Sequence, residues 1–243
     1  MTVRPQIAAF VGLDGAGKST AILRLSELYA ARMDQPIFNV PTFEKIHDRL
    51  PTLHEVGGSG VLMVAEPTYS RPTGTDIRHD LLRDGIPMTV PEEARRYAND
   101  RERLYRNLVI PFLNRGHGWV VQSRSLACSL TYQAQRWPEA RDLDHGIRMV
   151  LSFPGNQLEL EYAPKHLFIF DLNPLEALAR MKNRELDHFE RNVPLQARVR
   201  DLYLHPSIQA PFRERGTIIH VIDASRSKEE TSSLIENIFH QHS

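Results

Sequence analysis

The sequence predicts an α/β fold, a doubly wound five-stranded parallel sheet with helices on both faces, and three observations carry that prediction. Apolar runs of strand length recur at 7–12, 61–65, 118–122, 167–171 and 217–222, with segments of helical periodicity between them. Four of the runs are apolar almost throughout, as strands covered on both faces are. The first run also passes through a glycine-rich turn directly into a helix.

Ile7-Ala8-Ala9-Phe10-Val11 forms the first strand, and Gly-Leu-Asp-Gly-Ala-Gly-Lys-Ser-Thr follows at 12–20. Gly12, Gly17, Lys18 and Ser19 satisfy G-x-x-x-x-G-K-[ST] without a gap. Glycines at 12, 15 and 17, with the small Ala16, let successive N–H groups turn toward phosphates, and the helix N-terminus adds partial positive charge. Lys18 is expected to reach the β and γ phosphates, Ser19 to offer its hydroxyl to Mg2+, and Thr20 to keep the first helical turn polar. Ile22, Leu25 and Leu28 then recur at helical spacing, so strand, loop and helix stand in the order that ATP binding requires.

Residues 33–60 make an unusually long connection, broken by Pro36, Pro41, Pro51 and Gly57-Gly58-Ser59-Gly60, with a short helix expected at 43–50. A surface insertion, a substrate lid and a subunit contact all remain open for it. Ligands of such sheets gather at the carboxyl ends of the strands, which puts weight on Asp14, Glu66-Pro67 and Ser123-Arg124-Ser125, and less on Asp171 and Asp223. Between the second and third runs, Tyr97 and Arg101 stand four residues apart on one helix face, where a ring and a guanidinium can meet two edges of one planar ligand.

One domain is expected for 243 residues, and 30 basic against 30 acidic side chains give no general attraction to nucleic acid or anionic membranes. Small anionic ligands fit better. A single cysteine, Cys128, excludes an intrachain disulfide, and the eleven histidines form no ligand motif. No apolar stretch reaches the roughly 18 to 20 residues that span a bilayer, and the chain enters its first strand at once, so a cytoplasmic setting is expected.

The chain resembles the thymidylate kinases among the P-loop nucleoside monophosphate kinases, and the likeness covers nearly its whole length. It rests on the loop 12–20, on Glu66-Pro67 followed by Thr73-Gly74-Thr75-Asp76-Ile77-Arg78, on Tyr97-Ala98-Asn99-Asp100-Arg101, on Ser123-Arg124-Ser125 with Ser129, Tyr132 and Gln133, and on 180–190. The resemblance implies Asp14 near the metal and the sugar 3′-hydroxyl, Glu66 as a further metal or substrate group, and Arg71 and Arg78 as cations for the acceptor phosphate. It gives Tyr97 a stacking role on the base, Arg101 the base 4-oxygen, Arg124 the phosphate, Ser129 a place near the base, and Tyr132 a place under the sugar 2′ position. A helical lid at about 180–192 supplies Arg180 and Arg184 as candidate catalytic arginines, since Ala16 leaves the loop without one. ATP, Mg2+ and a homodimer are implied in the same way. Two departures stand out: Ser123 replaces the family aspartate, and Ala65 the arginine often found before Glu-Pro.

The resulting expectation is transfer of the ATP γ-phosphoryl group to a deoxynucleoside monophosphate, dTMP first. A deoxynucleoside kinase remains open, because Ser123-Arg124-Ser125 is also similar to the Glu-Arg-Ser element of those enzymes and Glu66 could take a proton from a 5′-hydroxyl. So does a nucleotide-binding regulatory protein that has lost turnover through Ser123.

Overall fold

Strand β1 (Ile7–Gly12) is buried at every residue and forms the axis of the molecule. In the computed structural model, which describes residues 6–182 and 185–241, it pairs with β4 (Trp119–Ser123) on one side and β5 (His166–Asp171) on the other. Beyond β4 come β3 (Val61–Ala65) and β2 (Ile37–Asn39), and beyond β5 comes β6 (Ile218–Asp223). The order is β2-β3-β4-β1-β5-β6 and every pairing is parallel.

The sheet therefore has six strands, not five. The additional strand, β2, lies within the 33–60 connection and pairs only with β3 at the sheet edge. Its three residues are half-buried or exposed, too short and too mixed to register as an apolar run.

Helix α1 (Lys18–Met33) follows β1, and α2 (Val40–His47) and α3 (Leu53–Val56) fill the rest of the long connection. Between β3 and β4 the chain forms α4 (Gly74–Asp76), a wide helical turn at Ile77–Arg83, α5 (Val90–Leu104) and, after a second wide turn, α6 (Ile110–Leu113). Helices α7 (Leu126–Tyr132), α8 (Leu143–Leu151) and α9 (Pro154–Glu161) lead to β5. Helices α10 (Pro174–Arg180), α11 (Val193–Leu204) and α12 (Pro206–Arg213) lead to β6, and α13 (Lys228–Gln241) closes the described chain.

Alternation along β3 divides the core between the two faces. Val61 and Met63 join Phe10, Leu25, Val121 and Phe168, whereas Leu62 and Val64 join Leu104, Tyr105, Phe112 and Val120. With both faces covered, a sheet of this kind binds its ligands at the carboxyl ends of the strands. The chain leaves β1 toward the β2 edge but leaves β4 toward the β6 edge, so the loops after these adjacent strands diverge and open a crevice between them.

The expected helical lid is not a helix among the described residues. Residues 181–182 and 185–192 run as turns and irregular chain between α10 and α11. Asp187 and Glu190 each accept the other's backbone N–H at 2.8 Å, and Pro194, beside the Asn192 cap, stops α11 from extending backward. Arg184 lies outside the described residues.

Candidate active site

Gly12, Gly15 and Gly17 have φ of 131°, 82° and 90°, the left-handed conformations that curl the loop. A Cβ on Gly12 would lie 2.5 Å from the Phe170 carbonyl oxygen of neighbouring β5, so the strand end admits no side chain there. The first turn of α1 has neither a capping side chain nor an acidic residue, leaving its N–H groups for an anion. The buried Lys18 Nζ donates to the carbonyls of Gly12 (3.0 Å) and Leu13 (2.7 Å) and to Asp14 Oδ1 (3.2 Å). Burial pushes its pKa down.

Asp14 also accepts from Arg124 Nη2 across the crevice. Burial would raise the Asp14 pKa, but the charges of Arg124 and Lys18 outweigh it and hold the carboxyl well below its ordinary value. Arg124 follows β4 with φ 68°, left-handed for a non-glycine residue, and its N–H bonds the Phe10 carbonyl at 2.8 Å. Strain of this kind collects where a side chain has to be aimed. Arg124 lines both an open cleft of about 630 Å³ beside Gly15, Lys18 and Ser19 and an inner pocket beneath it. Ala65 and Ser123 pair in register at the rim of the same cleft.

The segment between α10 and α11 brings two carboxylates, Asp187 and Glu190, to the cleft that Ser123 lines. Ligand oxygens of Asp14, Asp187 and Glu190 lie within 4.8 Å of one another. Burial raises the pKa of both Asp187 and Glu190, opposed at Asp187 by the Glu190 N–H and the charge of Arg124. Hard oxygen donors facing a phosphate cradle, with the Ser19 hydroxyl in the same cleft, fit Mg2+. Glu66 stands outside this set. The expectation of a metal role there is corrected by its burial against Arg101, whose Nη2 donates to Glu66 Oε2 at 2.6 Å.

The inner pocket is lined by Tyr97, Arg101, Ser129, Tyr132, Gln133 and Phe189 with Glu66 and Arg124. Arg101 is only 2% exposed and donates to Glu66, to Asn156 Oδ1 and, at 3.4 Å, to Ser129 Oγ, while also pairing with Glu159. Its guanidinium is thus largely consumed within the protein and does not present a free fork to a base. Gly155 allows this arrangement: a Cβ there would collide with the Ala98 carbonyl oxygen, so α9 lies close enough to α5 for Asn156 and Glu159 to reach Arg101. Glu159 also accepts the Leu126 N–H at the start of α7, at 2.8 and 2.9 Å.

Burial, reinforced by the charge of Glu159 and opposed by Arg101, pushes Glu66 from 4.5 up to about 8. Between those values the folded state keeps a proton that the unfolded chain has released, so stability falls as pH rises through that window. Glu66→Gln should flatten the plot of Tm against pH from about 5 to about 8. An undiminished slope in that variant would assign the linkage to another group.

The other expected residues fall into two groups. Arg78 lines the cleft, donates to the carbonyls of Pro67 and Thr68, and lies 3.5 Å over the Tyr69 ring. Arg180 is exposed at the cleft, with Nη1 on the Ala224 carbonyl at 2.8 Å, and Thr20 lines the adjoining crevice by Ala16, Gly17 and Arg226. Arg71 is not brought there: it is 70% exposed and paired with Asp48, 3.4 Å away on the outer surface. Buried Glu44 of α2 accepts from Tyr69 N (3.1 Å) and Ser70 Oγ (2.6 Å), so the 33–60 connection braces the loop after β3. Sequence reasoning missed Glu44, Asn156, Glu159, Asp187 and Glu190. Only the Asp-x-x-Glu spacing of the last two offered a local signal, that of a reciprocal turn.

The thymidylate kinase family model matches residues 43–235, well over half of the chain. The chain belongs to the thymidylate kinase family. Curated family members align along most of their length. The thymidylate kinase of an Exiguobacterium species is 32% identical over 83% of this chain and 76% of its own. That of Blochmanniella pennsylvanica is 30% identical over 92% of this chain and 90% of its own, and a probable thymidylate kinase of Thermococcus kodakarensis is 27% identical over 93% and 95%. Membership in this family makes the chain an ATP-dependent phosphotransferase. Among the described residues no helix is long and apolar enough to cross a membrane.

Proposed function

We propose that the chain transfers the γ-phosphoryl group of ATP to dTMP, giving dTDP and ADP. The observation that carries the acceptor base is the pair Ser129 of α7 and Gln133 at its C-terminal cap, one turn apart and both on the inner pocket. Gln133 Nε2 donates to Glu93 Oε1 at 2.6 Å, and Gln133 Oε1 is buried with no partner among the described residues. Ser129 Oγ accepts from Arg101 and keeps its own proton to donate. An acceptor beside a donor complements the N3–H and 4-carbonyl of thymine or uracil. Cytosine offers an acceptor and an amine at those places and would leave both protein groups unpaired.

Around that edge, Tyr97 stacks on the base, Tyr132 lies under the sugar, and Arg124 with Arg78 grips the acceptor phosphate. Arg101 holds the pocket floor and positions Ser129, a change from the direct base contact that the family resemblance implies. Lys18 and the N–H groups of residues 15–20 hold the ATP phosphates, and Arg180 reaches over the same cleft. Asp14, Asp187, Glu190 and Ser19 would hold Mg2+, which supplies charge neutralisation at the phosphates. The acceptor phosphate, with a second pKa of about 6, is already an anionic nucleophile, so no general base is needed and Glu66 can stay hydrogen-bonded to Arg101. Family membership supports a cytoplasmic homodimer.

The test is ADP release with Mg-ATP against dTMP, dUMP, dCMP, dGMP, dAMP, thymidine and deoxycytidine, with Lys18→Ala as control. Turnover restricted to dTMP and dUMP is the expected result. Gln133→Leu should lower kcat/KM for dTMP by about tenfold and shrink the preference over dCMP. Turnover on nucleosides alone would make the chain a nucleoside kinase, and silence across the panel with ATP bound would make it a regulatory protein.

A further inference from the structure

We infer that Glu93 is a positioning residue that sets the choice of acceptor base, by fixing which end of the Gln133 amide faces the inner pocket. The inference rests on the base edge proposed above. Glu93 lies in the first turn of α5, is 2% exposed, and lines neither the cleft nor the inner pocket. Its Oε1 accepts from Gln133 Nε2 and from Arg136 Nη2, both at 2.6 Å. Arg136 is itself anchored, with Nε on the Tyr132 carbonyl at 2.7 Å.

The two ends of an amide are nearly the same size, so packing alone does not choose between them. Charge does. An ionised carboxylate only accepts hydrogen bonds, so it welcomes the N–H2 end of Gln133 and rejects the carbonyl end. The unpartnered Oε1 is the consequence, a buried lone acceptor on a residue that lines the pocket. Without Glu93, a half-turn of the Gln133 amide would present N–H2 instead, which suits the N3 acceptor of cytosine and opposes the N3–H of thymine. Specificity for the imide base therefore originates one residue behind the surface that touches it.

The experiment measures kcat and KM for dTMP and dCMP in wild type, Glu93→Leu, Glu93→Gln, Gln133→Leu and the Glu93→Leu/Gln133→Leu double variant. Glu93→Leu should lower the dTMP:dCMP ratio of kcat/KM by about tenfold, mainly through KM, whereas Glu93→Gln stays within about threefold because an amide oxygen still accepts from both donors. In the Gln133→Leu background, Glu93→Leu should change the ratio no further. An unmoved ratio in Glu93→Leu, or an equal further drop in the double variant, overturns the inference in favour of a merely structural role. Wild type that prefers dTMP alongside such a result leaves the acceptor reading standing, while wild type without dTMP turnover sinks both. Should Glu93→Leu fail to fold, nitrogen-15 NMR of wild type decides. The Gln133 side-chain N–H2 signals, assigned by their loss in Gln133→Leu, should hold their position when dTMP binds, and a large shift would mean that the amine end faces the base.

Discussion

Replacing Arg124 by alanine is expected to lower kcat/KM for dTMP by about 10³ while leaving ATP affinity and Tm nearly unchanged. Arg124 lines both the inner pocket and the open cleft, where the proposed reaction puts the acceptor phosphate. A guanidinium offers two parallel donors to a phosphate, and the backbone bond to Phe10 holds it in position before the substrate arrives. The fold should tolerate the loss. Arg124 is about a quarter exposed, Asp14 keeps Lys18 as a partner, and alanine inherits the same left-handed backbone. Steady-state kinetics with a parallel ATP titration decides it: a loss smaller than about fivefold would remove Arg124 from the reaction. Arg124→Lys, which keeps the charge without the fork, should recover only part of the rate.

Replacing Arg101 by methionine should instead destabilise the protein, by about 3–5 kcal/mol. Arg101 is the counter-charge for Glu66 and Glu159, which are 5% and 0% exposed. Methionine fills a similar volume but leaves two buried carboxyls to bind protons or face each other unpaired. For a chain of this length the loss corresponds to a fall in Tm of roughly 10 °C, read by calorimetry. Removing the charges together in Arg101→Met/Glu66→Gln/Glu159→Gln should return much of it, because well-packed neutral groups replace buried ions at little cost. A single variant as stable as wild type would mean that water reaches the pocket floor.

Why one arginine could be placed from the sequence and the other only in part follows from the range of their interactions. Arg124 sits at the end of an apolar run, and the carboxyl end of a strand is where a parallel sheet puts its ligands, so its position followed from local pattern and fold class. Arg101 and Tyr97 share one helix face and both line the inner pocket, but the Arg101 partners Asn156 and Glu159 come from α9, 55 and more residues away. Helical periodicity shows which face Arg101 occupies and says nothing about what packs against it. The same limit hid β2, whose three residues become a strand only because β3 offers them a ladder.

By itself the sequence determined the glycine-rich turn between β1 and α1, the five long strands and the arginine directly after β4. Each of these is dictated over a few consecutive residues, by glycine stereochemistry, by alternation or continuity of apolar side chains, and by strand polarity. Tertiary structure alone decided that Glu66 is buried against Arg101, that Asp187 and Glu190 come within reach of Asp14, and that Gln133 gives its amide N–H2 to Glu93. Those outcomes depend on groups tens of residues apart meeting in a site of low dielectric, where burial, counter-charge and the last unpaired hydrogen-bonding atom set the chemistry.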